Sequence, residues 1–109
     1  MNMPAVLAPH IESVRGICGG KPKVAGKRFT VQHIYVLHER LRMSAEEIVD
    51  QYDLTLAEVF AALAYAFDHQ KEMEKAIRRD DEAVREFKRK NPSNLRERQR
   101  EHKGQILPR

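Results

Sequence analysis

The sequence has few of the residues from which disulfide scaffolds, zinc sites and membrane spans are built. It contains one cysteine, Cys18, and no tryptophan. A single thiol cannot form an internal disulfide, so we expect a reducing, cytoplasmic environment. No apolar run approaches the roughly 18 residues that a membrane helix needs, and the opening MNMPAVLAPH is too short and too uncharged for a signal peptide. The sequence therefore predicts a cytoplasmic protein that does not use a membrane as a partner.

The residue combinations that support catalysis are missing as well. The five histidines are scattered without the spacing of zinc ligands, and no second cysteine accompanies Cys18. Cys18 has no activating neighbour in the sequence and is better explained as a small, partly buried side chain. The acidic residues of the central region fall at the starts and ends of helices. We therefore predict a non-enzymatic protein with no catalytic, cofactor or metal site and no small-molecule substrate.

Positive charge is concentrated at the two ends of the chain. The net charge is +4, from 20 Lys and Arg against 16 Asp and Glu. Residues 1–30 contain five Lys or Arg against one Glu, residues 31–67 two against six acidic residues, and residues 68–109 thirteen against nine. A basic arm and a basic tail flank an acidic middle, so a polyanion should meet the two ends first.

Capping residues indicate three helices in the middle of the chain. Thr30 precedes a run of apolar residues at helical spacing. Ser44 and Thr55 are each followed three residues later by glutamate, which is the spacing of a capping box. A short YDL turn separates the second helix from the third, and such a pair is typical of a helix-turn-helix.

An apolar stripe continues along and beyond the third helix at alternating spacings of three and four residues. Leu63 and Phe67 are predicted to lie in the core. Beyond Gln70 the stripe has no core left to join, so it needs a second copy of the chain or a different protein, or else it is a loose end. We expect a break at RRDDE, where Asp80 or Asp81 can cap a new helix, followed by a charged tail that is helical or partly disordered. The positions predicted to face a partner or a second copy are Leu56, Val59, Phe60, Leu63, Met73, Ile77, Val84 and Phe87.

The segment GGKPKVAGKRFTV, residues 19–31, looks like a phosphate-binding loop but lacks its spacing. Five residues instead of four separate Gly20 from Gly26, and Lys27 is followed by arginine instead of Ser or Thr. A tight turn explains the segment better, since glycine permits positive φ and proline stiffens the chain. Residues 11–14, which precede the segment, and residues 27–30, near its end, are predicted to pair as a short β-ribbon. The predicted turn residues are Gly19, Gly20, Pro22 and Gly26.

The third helix is poorly suited to reading DNA. In a DNA-binding helix-turn-helix the second helix of the motif presents its first residues to base edges, where Arg, Lys, Asn or Gln give direct readout. None of these residue types stands at the outward positions, which are Thr55, Leu56, Ala57, Phe60, Ala61 and Ala64. An apolar outward face indicates a protein interface instead. Contacts to DNA are therefore expected mostly with its backbone, through Lys21, Lys23, Lys27 and Arg28 and through the basic tail.

ICGGKPKVAGKRFTV followed by SAEEIVDQYDLTLAEVFAALAYAFDH resembles the bacterial family known as domain of unknown function 433 (DUF433). The likeness covers residues 10–78. The family commonly shows GGKPVIAGTRIPV, from which this chain departs at Lys23, Lys27, Phe29 and Thr30. The resemblance implies a homeodomain-like three-helix core that forms dimers, and an antitoxin-like (VapB-type) protein paired with a PIN-like ribonuclease toxin. It also implies a C-terminal segment that covers the toxin, and repression of the antitoxin's own operon.

We therefore expect a mainly α protein with a homeodomain-like helix-turn-helix core at 31–79, a basic arm with a short β-ribbon at 1–30 and a charged C-terminal tail at 80–109. The leading hypothesis is an antitoxin-like interaction module. In this hypothesis the core forms a homodimer, the segment from residue 73 onwards neutralises a PIN-like ribonuclease, and the arm touches DNA backbone for autoregulation. The alternatives are a transcription regulator that reads a specific operator, and a structural adaptor without a toxin partner.

Overall fold

A computed structural model describes residues 3–91 of the chain. The chain divides into two compact units, one ending at Ala76 and one beginning at Ile77. The sequence predicted a separate basic arm at residues 1–30, but the structure places the described residues of this arm in the first unit, together with the predicted helices. The part of the predicted tail from residue 92 onwards lies outside the described residues.

The first unit begins with a small antiparallel sheet of three strands in the order β1-β2-β3. The strands are β1 (Ala5–Ala8), β2 (Ile11–Ser13) and β3 (Lys23–Val24). Because β2 is central, Ile11 pairs with Val24 on one side and Ala8 on the other. Ile11 and Val24 are at most 1% exposed. The sheet therefore contributes apolar side chains to the core.

The observed sheet has three strands, whereas the sequence predicted a ribbon of two. The strand at 11–13 is present, but the predicted partner at 27–30 contributes only a bridge between Lys23 and Thr30. β1 is the element that the sequence did not predict. Four residues are too few to show the alternation by which a strand is recognised, and the pairing of β1 depends on residues that follow it in the chain.

The glycine-rich segment forms a compact double turn. A short 3-10 turn spans Cys18–Gly20, and Gly19 and Gly26 have φ values of 65° and 76°. Residues that carry a side chain rarely adopt this left-handed backbone conformation, so glycine is favoured at these positions. The Val24 N–H donates to the Phe29 carbonyl oxygen at 2.8 Å and closes the second reversal. The segment thus reverses the chain twice before the first helix starts.

The three predicted helices are present and their caps are confirmed. The Thr30 hydroxyl accepts the first-turn cap bond. Ser44 with Glu47, and Thr55 with Glu58, form complete capping boxes, each with both reciprocal bonds. Three local sequence signals thus correctly mark three helix starts. The helices are α1 (Val31–Glu39), α2 (Ala45–Gln51) and α3 (Leu56–Asp68).

The core of the first unit is formed by one face of each helix together with the sheet. Ile34, Ile48 and Val59, one from each helix, are fully buried. Leu63 is 6% exposed, which confirms its predicted place in the core, whereas Phe67 is 44% exposed. The prediction for Phe67 is wrong: one side of its ring makes edge contacts with the Tyr35 and His38 rings, and the rest of it is exposed.

A break at His69 separates α3 from α4 (Gln70–Lys90). The His69 backbone has φ −122° and ψ 35°, outside the helical region. Its Nδ1 donates to the Tyr65 carbonyl oxygen at 2.9 Å, and the two rings stack with centroids 4.1 Å apart. The predicted break at RRDDE is wrong, because α4 continues through Asp80 and Asp81. A single Asp inside a helix costs only about 0.7 kcal/mol relative to Ala, which is too little to end a 21-residue helix.

A polar cluster fixes the first turns of α4 to α1. The Tyr35 hydroxyl donates to a Glu74 carboxylate oxygen at 2.5 Å and accepts from the Gln70 amide at 3.2 Å. Arg40 lies 3.6 Å from the other Glu74 oxygen. Burial, reinforced by the bond to Glu74, raises the pKa of Tyr35. These contacts place Met73 in the core, where it is 6% exposed.

The second unit is described from Ile77 to Asn91 and consists of the distal part of α4, which we call distal α4 (Ile77–Lys90). Val84 and Phe87 are 52% and 49% exposed. Residues three apart lie on the same face of a helix. Distal α4 therefore carries an exposed apolar pair within a highly charged sequence.

Candidate functional site

The outer face of α3 is apolar where a DNA-reading helix carries hydrogen-bonding side chains. We define this face by Leu56, Ala57, Phe60 and Ala64, all of which are exposed. Leu56 is 42% exposed and Phe60 is 54% exposed. None of these side chains can donate or accept a hydrogen bond, so the face offers apolar area instead of base readout. Exposed apolar surface of this kind is typical of a protein interface.

The start of α3 is fixed by a network that reaches back to the glycine-rich turn. Lys27 Nζ donates to a Glu58 carboxylate oxygen at 2.9 Å and to the Asp53 carbonyl oxygen at 2.6 Å. The same Glu58 oxygen accepts the Thr55 N–H of the capping box at 2.8 Å. Burial alone would raise the pKa of Glu58, but the bonds from Lys27 and Thr55 outweigh it and lower the pKa. The first turn of α3, where the outer face begins, is therefore bonded to the glycine-rich turn.

An open groove of about 350 Å³ adjoins the outer face of α3. One side is formed by Leu7 of β1, and the other by Ala61 and Ala64 of α3. The stacked Tyr65 and His69 rings line one end. Small residues on the helix leave this space open. The groove can accept an apolar side chain from a bound polypeptide.

Sequence reasoning missed the contribution of Leu7 and Tyr65 to this surface. Leu7 lies in the uncharged run AVLA, and its exposed fraction is 42%. An uncharged strand at the edge of a sheet is the signal that could have identified it. Tyr65 gave no such signal, because its place beside β1 depends on the tertiary fold.

Lys23 is a structural residue of the turn. It is 3% exposed, and its Nζ donates to a Glu12 carboxylate oxygen at 2.6 Å and to the Lys27 carbonyl oxygen at 2.8 Å. The bond from Lys23, together with one from the Gly26 N–H, lowers the pKa of Glu12. The prediction that Lys23 contacts DNA backbone is therefore corrected, because its charge is enclosed by this chain.

The other predicted DNA-backbone residues differ in accessibility. Lys27 is ion-paired with Glu58, and its side chain is 27% exposed. Lys21 and Arg28 are exposed, and Lys21 Nζ donates to the Gln32 side chain at 3.4 Å. The arm therefore presents less accessible positive charge than its composition indicates. Of the four predicted backbone-contact residues, Lys21 and Arg28 are the two that are exposed to a polyanion.

The eight residues predicted to face a partner fall into two groups. Four are at most 6% exposed: Val59, Leu63, Met73 and Ile77. Four have exposed fractions between 42% and 54%: Leu56, Phe60, Val84 and Phe87. The buried group is corrected to interior residues, because a three-four spacing marks the inward side of a helix as well as a partner stripe. The exposed group remains a prediction.

The described part of the chain shows no metal-binding cluster. Among residues 3–91, no three His, Cys, Asp or Glu side chains come together in a way that could hold a metal ion. Cys18 is partly buried and its Sγ lies 3.7 Å from the Arg28 carbonyl oxygen, to which the thiol donates. Over the same residues, no helix is both long enough and apolar enough to cross a bilayer.

Comparison with known proteins gives one result. The chain matches the family described as "Protein of unknown function (DUF433)" over residues 11–66. This match runs from β2 to Ala66, near the end of α3, and includes the glycine-rich turn and the outer face of α3. No curated protein and no solved structure matches the sequence. The chain belongs to the DUF433 family.

Proposed function

We propose that this protein is a non-enzymatic interaction module of antitoxin type, built on a homeodomain-like helix-turn-helix core of α1, α2 and α3. It forms a homodimer and neutralises a PIN-like ribonuclease toxin with its C-terminal segment. The outer face of α3 carries the proposal. Where a regulator would present donors to bases, this helix presents Leu56 and Phe60 to solvent.

The outer face of α3 and the adjoining groove suit a polypeptide ligand. Burying apolar surface contributes about 25 cal/mol per Å² to the free energy of binding. Leu56 and Phe60 provide large apolar side chains next to each other on this face. The groove beside Ala61 and Ala64 offers a recess for an anchoring side chain. Aromatic anchors in such recesses commonly dominate the energy of protein interfaces.

The charge of the C-terminal segment supports a ribonuclease partner. Residues 84–109 contain nine Lys or Arg against three acidic residues. A ribonuclease that binds metal ions through carboxylates has an acidic active site, and a basic segment can occupy it.

Truncation tests the neutralising segment. The first unit ends at Ala76, so a chain cut after Asp81 keeps the whole of the core. We expect this chain to show the circular dichroism of a folded helical protein. When it is co-expressed with the ribonuclease encoded by the neighbouring gene, growth should not be rescued, whereas the full chain should rescue it.

A second truncation, after Asn91, locates the neutralising residues. It keeps α4 and removes only the last 18 residues, so loss of rescue would assign neutralisation to residues 92–109. Rescue of growth by the chain cut after Asp81 would contradict the proposal. If the protein encoded by the neighbouring gene binds this chain but has no nuclease activity, this chain is an adaptor.

A transcription regulator is the second candidate, because two capped helices in tandem are typical of DNA-binding domains. Exposed Lys21 and Arg28 could hold the phosphate backbone in such a complex. Substitution of Thr55 or Ala61 distinguishes the two functions. A change in operator preference would favour a regulator, whereas loss of protein binding with unchanged DNA binding favours the interaction module.

A further inference from the structure

Distal α4 carries an apolar seam that consists of Val84 and Phe87. Both side chains are about half exposed, and their spacing puts them on one face. Isolated helices shorter than about 12–15 residues are marginal in water, and most helical stability in proteins comes from packing of an apolar face. Distal α4 continues from turns that pack in the first unit, but its own apolar pair is exposed, so a partner that covers the seam would stabilise it.

The charges beside the seam change sign along the helix. Asp80 and Asp81 precede Val84 by four and three residues, so they lie on the seam side at its N-terminal end. Lys88 follows Val84 by four residues, and Lys90 follows Phe87 by three, so both lie on the seam side at its C-terminal end.

The remaining charges of distal α4 are displaced from the seam. Arg78 and Arg79 precede Val84 by six and five residues, and Glu82 and Arg85 are two residues and one residue from it, so none has the spacing of three or four residues that shares a face. Arg89 pairs with Glu86 in the same helix at 2.6 Å, and Lys90, which borders the seam, lies 3.5 Å from the same Glu86 carboxylate. The seam is thus bordered by acidic residues at one end and basic residues at the other.

We propose that distal α4 pairs with distal α4 of a second copy in antiparallel orientation. This pairing lays Val84 of each copy against Phe87 of the other. It also brings Asp81 of each copy beside Lys88 of the other, so the favourable pair occurs twice by symmetry. The inference rests on the homodimer of the proposed function and identifies the surface that forms it.

The charge pattern selects the orientation. A parallel pair would put acidic residues beside acidic residues at one end of the seam and basic residues beside basic residues at the other. Like charges that face one another across an interface are unfavourable and suppress the wrong register. The same seam in antiparallel orientation has opposite charges at both ends. A second copy of this chain is therefore the occupant that fits.

A short seam predicts a weak dimer that depends on salt. Two valines and two phenylalanines bury far less than the roughly 1,200 Å² of a standard stable interface. Ion pairs at the surface are screened at high ionic strength. We therefore expect the dissociation constant of the dimer to rise several-fold between about 50 mM and 500 mM NaCl.

Charge-swap variants of the full chain test the orientation by sedimentation equilibrium. Asp80→Lys with Asp81→Lys, or Lys88→Glu with Lys90→Glu, makes one end of the seam face a like charge. Each double variant should raise the dissociation constant about tenfold. The quadruple variant, which exchanges the two ends, should dimerise within about twofold of the natural chain.

Matched controls separate a seam effect from a general charge effect. Glu82→Lys and Arg85→Glu change charge away from the seam and should leave the dissociation constant unchanged. Val84→Ser with Phe87→Ser should abolish dimerisation, with circular dichroism verifying that the first unit remains folded. A quadruple variant as weak as the double variants would overturn the antiparallel pairing. A natural chain that is monomeric at about 1 mM would overturn self-pairing altogether.

This experiment and the neutralisation assay can fail independently. Sedimentation uses the purified chain alone, with no ribonuclease and no DNA present. Loss of neutralisation in a chain cut after Asn91 would leave the dimer intact, because that chain retains Val84, Phe87 and all four seam charges. Likewise, a full chain that does not dimerise could still neutralise the ribonuclease through residues 92–109, so the neutralisation assay would keep its own outcome.

Discussion

Met73 and Val84 lie on the same helix and in the same apolar stripe, but they have different environments. Met73 is 6% exposed, on the turns of α4 that belong to the first unit, whereas Val84 is 52% exposed on distal α4. The spacing of apolar residues identifies a face of a helix. It does not say whether the chain itself or a partner covers that face. Within the described residues, Ile77, at 4% exposed, is the last buried residue of this stripe.

Alanine substitution at these two positions should separate the two environments. Met73→Ala removes a buried side chain, and such changes cost roughly 2–5 kcal/mol. Val84→Ala removes an exposed side chain and should change stability by less than about 0.5 kcal/mol. Urea unfolding at low protein concentration, where no dimer forms, measures both. Equal losses at the two positions would show that the stripe is continuous core.

Two lysines of the glycine-rich turn extend the same contrast to charged residues. Lys23→Met leaves the partly buried Glu12 carboxylate without its ammonium partner, and we expect the melting temperature to fall by about 10 °C. Lys21→Met changes an exposed position and should shift the melting temperature by less than about 2 °C. Adding Glu12→Leu to Lys23→Met should restore part of the loss, because replacing a buried ion pair by apolar residues is often neutral. If the two lysines gave equal shifts, Lys23 would not be structural.

Acid should weaken the contact between the turn and α3. The folded-state pKa values of Glu12 and Glu58 are lowered from 4.5. A lowered carboxyl pKa contributes stability that is present above the unfolded pKa and is lost as the pH falls through the folded pKa. Thermal unfolding between pH 7 and pH 3 should therefore show stability falling below about pH 4.5. Lys27→Met removes the main favourable contact of Glu58, so it should reduce this acid-dependent loss; an identical pH profile in this variant would contradict the role of the ion pair.

The features that the sequence predicted correctly are those that depend on near neighbours. A cap at Thr30, Ser44 or Thr55 involves atoms within three residues, so the sequence carries the whole signal. The break at His69 was missed because the apolar spacing is the same on both sides of it. Strand β1 (Ala5–Ala8) was missed because it is defined by pairing with another strand.

The candidate site shows the same limit. Leu56 and Phe60 were predicted at outward positions from helical spacing alone, and both are exposed. The groove beside them could not be predicted, because Leu7 and Tyr65 meet only after the chain has folded. The burial of Lys23 was likewise hidden, since its partner Glu12 lies on a neighbouring strand. From composition alone, Lys23 was expected to be a positive charge accessible to a polyanion, whereas in the structure it is buried.

Nuclear magnetic resonance of the side chains on the outer face of α3 would test its role most directly. The methyl signals of Leu56 and the ring signals of Phe60 can be followed while the full chain is titrated with the neighbouring-gene protein, and separately with duplex DNA from its own promoter. We expect the protein to shift and broaden both sets of signals, and the DNA to leave them unchanged while shifting those of Lys21 and Arg28. Shifts of Leu56 and Phe60 with DNA, and none with the protein, would contradict the assignment of this face as a protein interface.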